Sequence, residues 1–404
     1  MKILVVPMEL PLPASSGGRI DVWRRLRYLH EDGHRLALLS WHNLGRDGAP
    51  AAATLQELST VCHSVQLSWI RRTPLESLHR IAQLARLPSH AAVRWITLDR
   101  SAVLAWAQEF APDVLMLDGL YGAAAVRWLS ARLDVPWVYR AHNVEHVYMR
   151  QQRARMTRWP ARLALSANLV GLRRLEECTV RDAARVFDIS LADAAHWAAA
   201  GHRHVQWLPT VVDADFAASL AAASSQAPAW DVAYFGNLHT PNNVEAVEWL
   251  VRQVLPLVRA PALRVVVAGS APSAAVRECV ATDPRITLLA DPPSMPAVVG
   301  AARVLVNPLQ AGSGVNLKSV EMLFTCAHLV STPAGVQGLP AQAAASFTLH
   351  ADAAGFAQAI ARALQAGHAA DEPQRLAARA PFAPAAAARL LRDGLEAVAR
   401  RERR

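Results

Sequence analysis

Lysine is almost absent from this 404-residue chain. Of 42 basic residues only Lys2 and Lys318 are lysine, and the rest are arginine. Together with the abundance of alanine, the net charge of +9 reads as a compositional bias. With that charge dispersed and no recognition module present, a nucleic-acid partner is not expected. Long apolar runs are missing as well, and none reaches the roughly 18 residues that a membrane span needs. The opening MKILVVPMELPLP is broken by Pro7 and Glu9 and lacks the apolar core and cleavage site of a signal peptide, so a cytoplasmic location is expected. Cysteine is scarce: Cys62, Cys178, Cys279 and Cys326 are scattered, which excludes a disulfide framework and a zinc site and suits small buried hydrophobes. Acidic residues vanish between Glu145 and Glu176, where Arg150, Arg153, Arg155, Arg158, Arg162, Arg173 and Arg174 all fall. That segment suits a solvated helix face or, equally, peripheral contact with anionic lipid at the inner membrane face or with an acidic acceptor.

What is present is a strand–helix rhythm. KILVVP reads as a strand, the segment from Gly17 as a helix stopped by Gly33, and HRLALLSW as the next strand. DVLMLD, VPWVYRAHN, ARVFDIS and HVQWLP continue the pattern, which implies a parallel sheet covered by helices. The small-residue stretch AASLAAASSQAPAW suits a linker, after which the rhythm restarts with DVAYFG, LRVVVAG, ITLLA, RVLVNP and HLVST. The expectation is α/β with two doubly wound units: 1–215, a linker over 216–230, 231–385, and a basic terminal helix over 386–404. Ligands of such sheets bind outside the carboxyl ends of the strands.

Three motifs tempt and fail. HEDGH (His30–His34) spells a zinc-protease pattern, but Gly33 should end the helix and throw His34 out of register. Asp213–Asp215 spells Asp-x-Asp, although a turn before a linker is the commoner use of aspartate there. GSGVNL places Leu317 where a dinucleotide fingerprint wants glycine, and no acid ends the following strand.

The stretch VLVNPLQAGSGVNLKSVE is more promising. Gly312 and Gly314 flank Ser313 and let backbone N–H groups approach a ligand. A helix from about Val315 would bring its positive end, with Lys318 in the first turn and Glu321 one turn on. This suits a diphosphate with a ribose diol nearby, although an ordinary strand–helix turn remains the commoner outcome for such a loop alone. The rarity of lysine singles out Lys318 as a compact charge. In the N-terminal half, Gly17 and Gly18 open a helix and His142 follows a strand, offering N–H groups and an imidazole to an anion or a sugar hydroxyl.

Taken together, GGRIDVWRRLRYLHEDGHRLALL, RAHNVE, DISLADAAHW, LPTVVDADF, FGNLHTPNNVEAVEWL and NPLQAGSGVNLKSVEMLF resemble the retaining glycosyltransferases of family 4, over nearly the whole chain. They look most like a bacterial polysaccharide subgroup. The resemblance implies a GT-B fold, with two Rossmann-like domains facing across a cleft, an N-terminal acceptor domain and a C-terminal donor domain. It implies transfer of a hexose from a nucleotide diphosphate sugar to a hydroxyl acceptor, such as a glycan or a lipid-linked glycan. No metal or other cofactor is expected. By resemblance, Gly17, Gly18, Gly236, Asn237, Gly312, Ser313, Gly314, Val315, Asn316, Lys318 and Glu321 would bind the donor, and His142, Lys318 and Glu321 would serve catalysis. Ser313 stands where the family's motif has its first glutamate, and Asn237, His239 and Asn242 stand where a cationic clamp is usual. A nucleotide-sugar epimerase on the same fold, or a non-catalytic sugar-nucleotide binder, are the alternatives.

Overall fold

Lys2–Pro7 is apolar on both faces and almost wholly buried, as a central parallel strand must be. It forms β1 of the first of two compact units in the computed structural model, which describes residues 1–71, 73–156, 159–260, 262–312, 314–366 and 372–401. The first unit comprises residues 1–14, 18–209 and 387–404; the second comprises 15–17 and 210–386.

The first unit is a seven-stranded parallel sheet. After β1 come β2 (Arg35–Asn43), β3 (Ser64–Ile70), β4 (Val114–Asp118), β5 (Trp137–Ala141), β6 (Arg185–Asp188) and β7 (Val205–Trp207). Their spatial order is β3-β2-β1-β4-β5-β6-β7. The order reverses between β1 and β4, so the two connections leaving those strands diverge and open a crevice at their carboxyl ends. Leu4, Val6, Leu39, Leu115, Leu117 and Tyr139 lie at the centre of its core. The second unit repeats the plan with β8 (Trp230–Asn237), β9 (Val265–Ser270), β10 (Ile286–Ala290), β11 (Ala302–Asn307), β12 (His328–Ser331) and β13 (Thr348–Leu349). Its order is β10-β9-β8-β11-β12-β13, with the reversal between β8 and β11. Val232, Tyr234, Val267, Val304, Val306 and Phe356 belong to its core.

The domain limits differ from those expected. Ala214–Ser224 is a helix of the second unit, where a linker was expected from residue 216. A run of alanines supports a helix as readily as a tether, and here the helix packs against Met295–Gly300. The terminal helix Pro384–Arg401 belongs from residue 387 to the first unit. Arg392 donates from Nη1 to Asp32 Oδ1 at 2.7 Å, and a Cβ at Gly394 would lie 2.5 Å from the Phe187 ring. Among the described residues no helix is long and apolar enough to cross a membrane.

Gly33 adopts φ +81° and ends the helix Gly17–Glu31, so His30 and His34 do not share a helical face. No group of three His, Cys, Asp or Glu side chains that could hold a metal exists among the described residues. Asp213 sits just before the helix Ala214–Ser224, and Ser190 caps the helix Leu191–Ala199 by accepting from Asp193 N at 3.2 Å.

Candidate functional site

In the first unit the helix that opens with Gly17 and Gly18 carries Asp21 and Arg25 one turn apart on its buried side. Arg25 donates to Asp21 Oδ2 at 2.9 Å and, through Nη2 and Nε, to Asp118 Oδ2 at 2.7 and 2.9 Å. Asp118 is the last residue of β4 and is fully buried. Burial alone would raise its pKa. The Arg25 guanidinium and the His142 hydrogen bond outweigh that and hold the carboxyl below its ordinary value. An ionised carboxylate only accepts, so the ring nitrogen facing it, His142 Nε2 at 2.6 Å from Oδ1, carries the hydrogen. The ring is thereby held against the end of β4. Arg140 closes the network by donating to Asp21 Oδ2 at 3.5 Å and to Leu208 O. Thus the helix opened by the glycine pair and the histidine after β5 are joined through charged side chains at β4 and β5.

The first unit also holds a polar cavity of about 200 Å³ at the ends of β2 and β3. Arg19 and Arg46 enter it, both paired to Glu9 Oε2 at 2.9 Å, with Arg80 and Arg94 beside them. Burial pushes Glu9 up, but the two arginines more than reverse it and keep the group ionised.

In the second unit the switch point brings together Gly236 and Asn237, at the end of β8, with Asn316, Lys318 and Glu321, after β11. The helix begins at Leu317, two residues later than expected, because the Asn316 side chain caps it by accepting from Lys318 N at 3.1 Å. It has only 6 residues, so its dipole is slight and the lysine carries the positive potential. Lys318 is buried, with Nζ 3.9 Å from the centre of the Tyr234 ring and 3.4 Å from Asn243 Oδ1. Its pKa is pushed down to about 7 by burial, which nearby Glu321 only partly offsets. Asn243 is fixed in turn: its Oδ1 accepts from Tyr234 OH at 2.9 Å, and its Nδ2 donates to Asn237 O at 2.8 Å. A Cβ at Gly236 would stand 3.3 Å from Lys318 Nζ, so the glycine makes room for the ammonium. Gly314 adopts φ +64°, a left-handed conformation that favours glycine. Gly312 and Val315 lie in the same loop, whereas Ser313 lies outside the described residues. Behind the loop, Asn307 donates to Ser319 Oγ at 2.8 Å and Ser319 donates to Gly335 O at 2.6 Å, which ties the short helix to β11.

Sequence reasoning missed Asn243, Tyr234, Asp118 and Arg25. One signal for Asp118 was available: an otherwise apolar strand, VLMLD, ends in an acid at the carboxyl edge.

Residues 230–366 match the family described as "Glycosyl transferases group 1", so the second unit carries a domain of that kind. Over 350 residues the chain is 23% identical to an "Uncharacterized 44.6 kDa protein in cps region" of Klebsiella pneumoniae, which covers 83% of this chain and 84% of that protein. Among solved structures it is similar to Anabaena Alr3699/HepE in complex with UDP, at TM-score 0.63 and 13% identity, covering 98% of this chain and 100% of that one. It is also similar to the lipopolysaccharide outer core galactosyltransferase WaaB, at TM-score 0.60 and 11% identity (98% and 99% covered). Sucrose-phosphate synthase from Thermosynechococcus elongatus matches at TM-score 0.60 and 16% identity (100% and 97%). The two parallel-sheet units are therefore of the GT-B glycosyltransferase fold.

Proposed function

We propose that the protein is a retaining glycosyltransferase that moves a hexose from a nucleotide diphosphate sugar to a hydroxyl acceptor in the synthesis of a cell-surface polysaccharide or glycolipid. One observation carries the reading. Lys318 is a buried ammonium whose only polar contact among the described residues is a neutral amide, Asn243, at 3.4 Å. A charge kept there without a salt-bridge partner is built for an anion that arrives. The donor diphosphate supplies it. As the bond from the sugar to the diphosphate breaks, negative charge grows on the leaving oxygen, and Lys318 stabilises it with the Gly312–Asn316 loop. Glu321 accepts from donor hydroxyls, and His142, held by Asp118, meets a hydroxyl of the transferred sugar or the acceptor. The cavity between Arg19, Arg46 and Arg80 has the size and mixed charge to receive an acceptor sugar.

The Anabaena neighbour is seen in complex with UDP and with UDP-glucose, which makes UDP-glucose the first donor to try. The Klebsiella relative's cps region and the lipopolysaccharide enzyme favour surface glycan as the product. The test is a thermal-shift screen with nucleotide diphosphate sugars, then transfer to a panel of glycan acceptors. Lys318→Ala and Glu321→Ala should each lower transfer about tenfold or more while the chain stays folded. Unchanged rates in both would remove these residues from the site. Donor binding with no transfer would instead favour a non-catalytic sugar-nucleotide binder.

A further inference from the structure

Large apolar side chains on the surface of this protein are not scattered evenly. Among the described residues the five most exposed are Leu75 (61%), Leu78 (62%), Ile81 (60%), Trp159 (74%) and Leu163 (64%). All five lie on two helices of the first unit, Pro74–Gln83 and Trp159–Leu169. Both helices pack against one element, the helix Ser89–Ile96, and His90 N donates to Asn168 Oδ1 at 2.7 Å across one of these contacts.

The helix Pro74–Gln83 has two faces. Leu75, Leu78 and Ile81 recur every three residues and form an exposed stripe. Glu76, Ser77 and Arg80 fall on the opposite side and wall the polar cavity. A buried core does not demand the outer stripe, since no residue of this helix is buried. Five large apolar side chains exposed by 60% or more on two helices mark a partner.

The surrounding charge selects that partner. From residue 146 to 175 the sequence has no acid and seven arginines, and from 71 to 87 it has four arginines and one acid, of which Arg80 and Glu76 both face the cavity. Arg150, Arg153, Arg162 and Arg174 have no salt bridge among the described residues. A symmetric pairing of two copies through this face would set arginines against arginines. An anionic lipid surface answers both features, taking leucine, isoleucine and tryptophan into the headgroup region and the arginines against phosphate.

We infer that the face formed by the Pro74–Gln83 and Trp159–Leu169 helices docks on an anionic lipid surface, with the cavity behind the first helix held next to that surface. The docking stands on its own. That the cavity thereby meets a lipid-linked acceptor rests on the glycosyltransferase reading.

The test is sedimentation of the full chain with vesicles of phosphatidylcholine alone, or with about a third phosphatidylglycerol, at low and at physiological salt. Leu78→Glu/Ile81→Glu and Trp159→Glu/Leu163→Glu are compared with the parent, with circular dichroism and the donor thermal shift as checks of fold. The parent should bind the anionic vesicles, weaken as salt rises, and bind neutral vesicles poorly; each double variant should lose binding about tenfold or more. Absence of binding to anionic vesicles, binding unchanged in both folded variants, or a dimer that the variants dissolve would overturn the inference. Donor binding that persists without vesicle binding leaves the proposed function standing, and vesicle binding without donor binding does the reverse.

Discussion

Replacing Lys318 by methionine should make the ligand-free protein more stable, and the gain should shrink as pH rises. The lysine's pKa is about 7 in the fold, against 10.5 when solvated. Below pH 7 the amine is charged in both states, and burial of the charge carries its full cost. A difference of about 3.5 pKa units corresponds to roughly 5 kcal/mol. Between the two values the folded protein binds fewer protons than the unfolded chain, so wild-type stability rises with pH. At pH 9 about 2 kcal/mol of the cost remains, so the gap between variant and parent narrows by nearly 3 kcal/mol from pH 6 to pH 9. Methionine matches the lysine stem in length and keeps contact with Tyr234, so packing changes little. Urea unfolding of both proteins at the two pH values measures the gap. A gap that stays constant with pH, or widens, would show that Lys318 is not a buried charge awaiting a partner.

If Lys318 meets the donor as proposed, donor binding should be proton-linked. Above pH 7 each donor bound should take up about one proton, and affinity should fall by up to tenfold per pH unit; calorimetry in buffers of different ionisation enthalpy counts the protons, and zero uptake at pH 8 counts against Lys318 as the anion partner. In the first unit, Arg25→Met takes the shared guanidinium from the buried Asp21 and Asp118 carboxylates, leaving Arg140 and His142 to answer them, and should destabilise by about 3 kcal/mol. Asp118→Asn replaces the carboxylate that fixes the His142 ring and should lower transfer about a hundredfold in the molecules that fold, so equal kcat values for parent and variant would deny His142 its role. Gly269→Ala puts a Cβ 1.8 Å from Gly236 O and should cost about 3 kcal/mol or more, whereas Gly18→Ala meets nothing within 4 Å and should fold normally. A lowered transfer rate in Gly18→Ala then reports contact with a ligand, which donor titration can confirm.

Much of the fold could be read from the chain because parallel strands buried on both faces are apolar throughout. Runs such as KILVVP, VLMLD and RVLVNP have no other good use. β3 escaped notice because SVQLSWI is half-exposed and mixes serine and glutamine with its apolar positions. The helix Ala214–Ser224 was mistaken for a linker because small residues signal tether and helix alike, and only packing against Met295–Gly300 decides. At the candidate site, Lys318 stood out through its rarity alone. Asn243 did not, since a single asparagine in a helix says nothing until Tyr234, Lys318 and Asn237 converge on it. Likewise the bond between Asp118 and Arg25 joins residues 93 apart, a relation set by strand order and not by spacing.

The two switch points share a topology but differ in charge balance, and the difference bears on why one of the two lysines stands where it does. At β1 and β4 the buried charges close on themselves, with Asp21 and Asp118 answered by Arg25, Arg140 and His142. An arginine suits that setting because its partners are permanent. At β8 and β11 the cation faces an aromatic ring and an amide. An arginine there would stay charged at every physiological pH and bear the full desolvation cost whenever the site stood empty. A lysine with a pKa near 7 sheds its proton in about half of the empty molecules at neutral pH and regains it when an anion arrives. On the reading proposed above, the site can therefore be buried while only about half of its empty molecules hold an unanswered charge. That property is open only to lysine among the strongly basic side chains, and it accounts for a lysine at this place in a chain that uses arginine almost everywhere else.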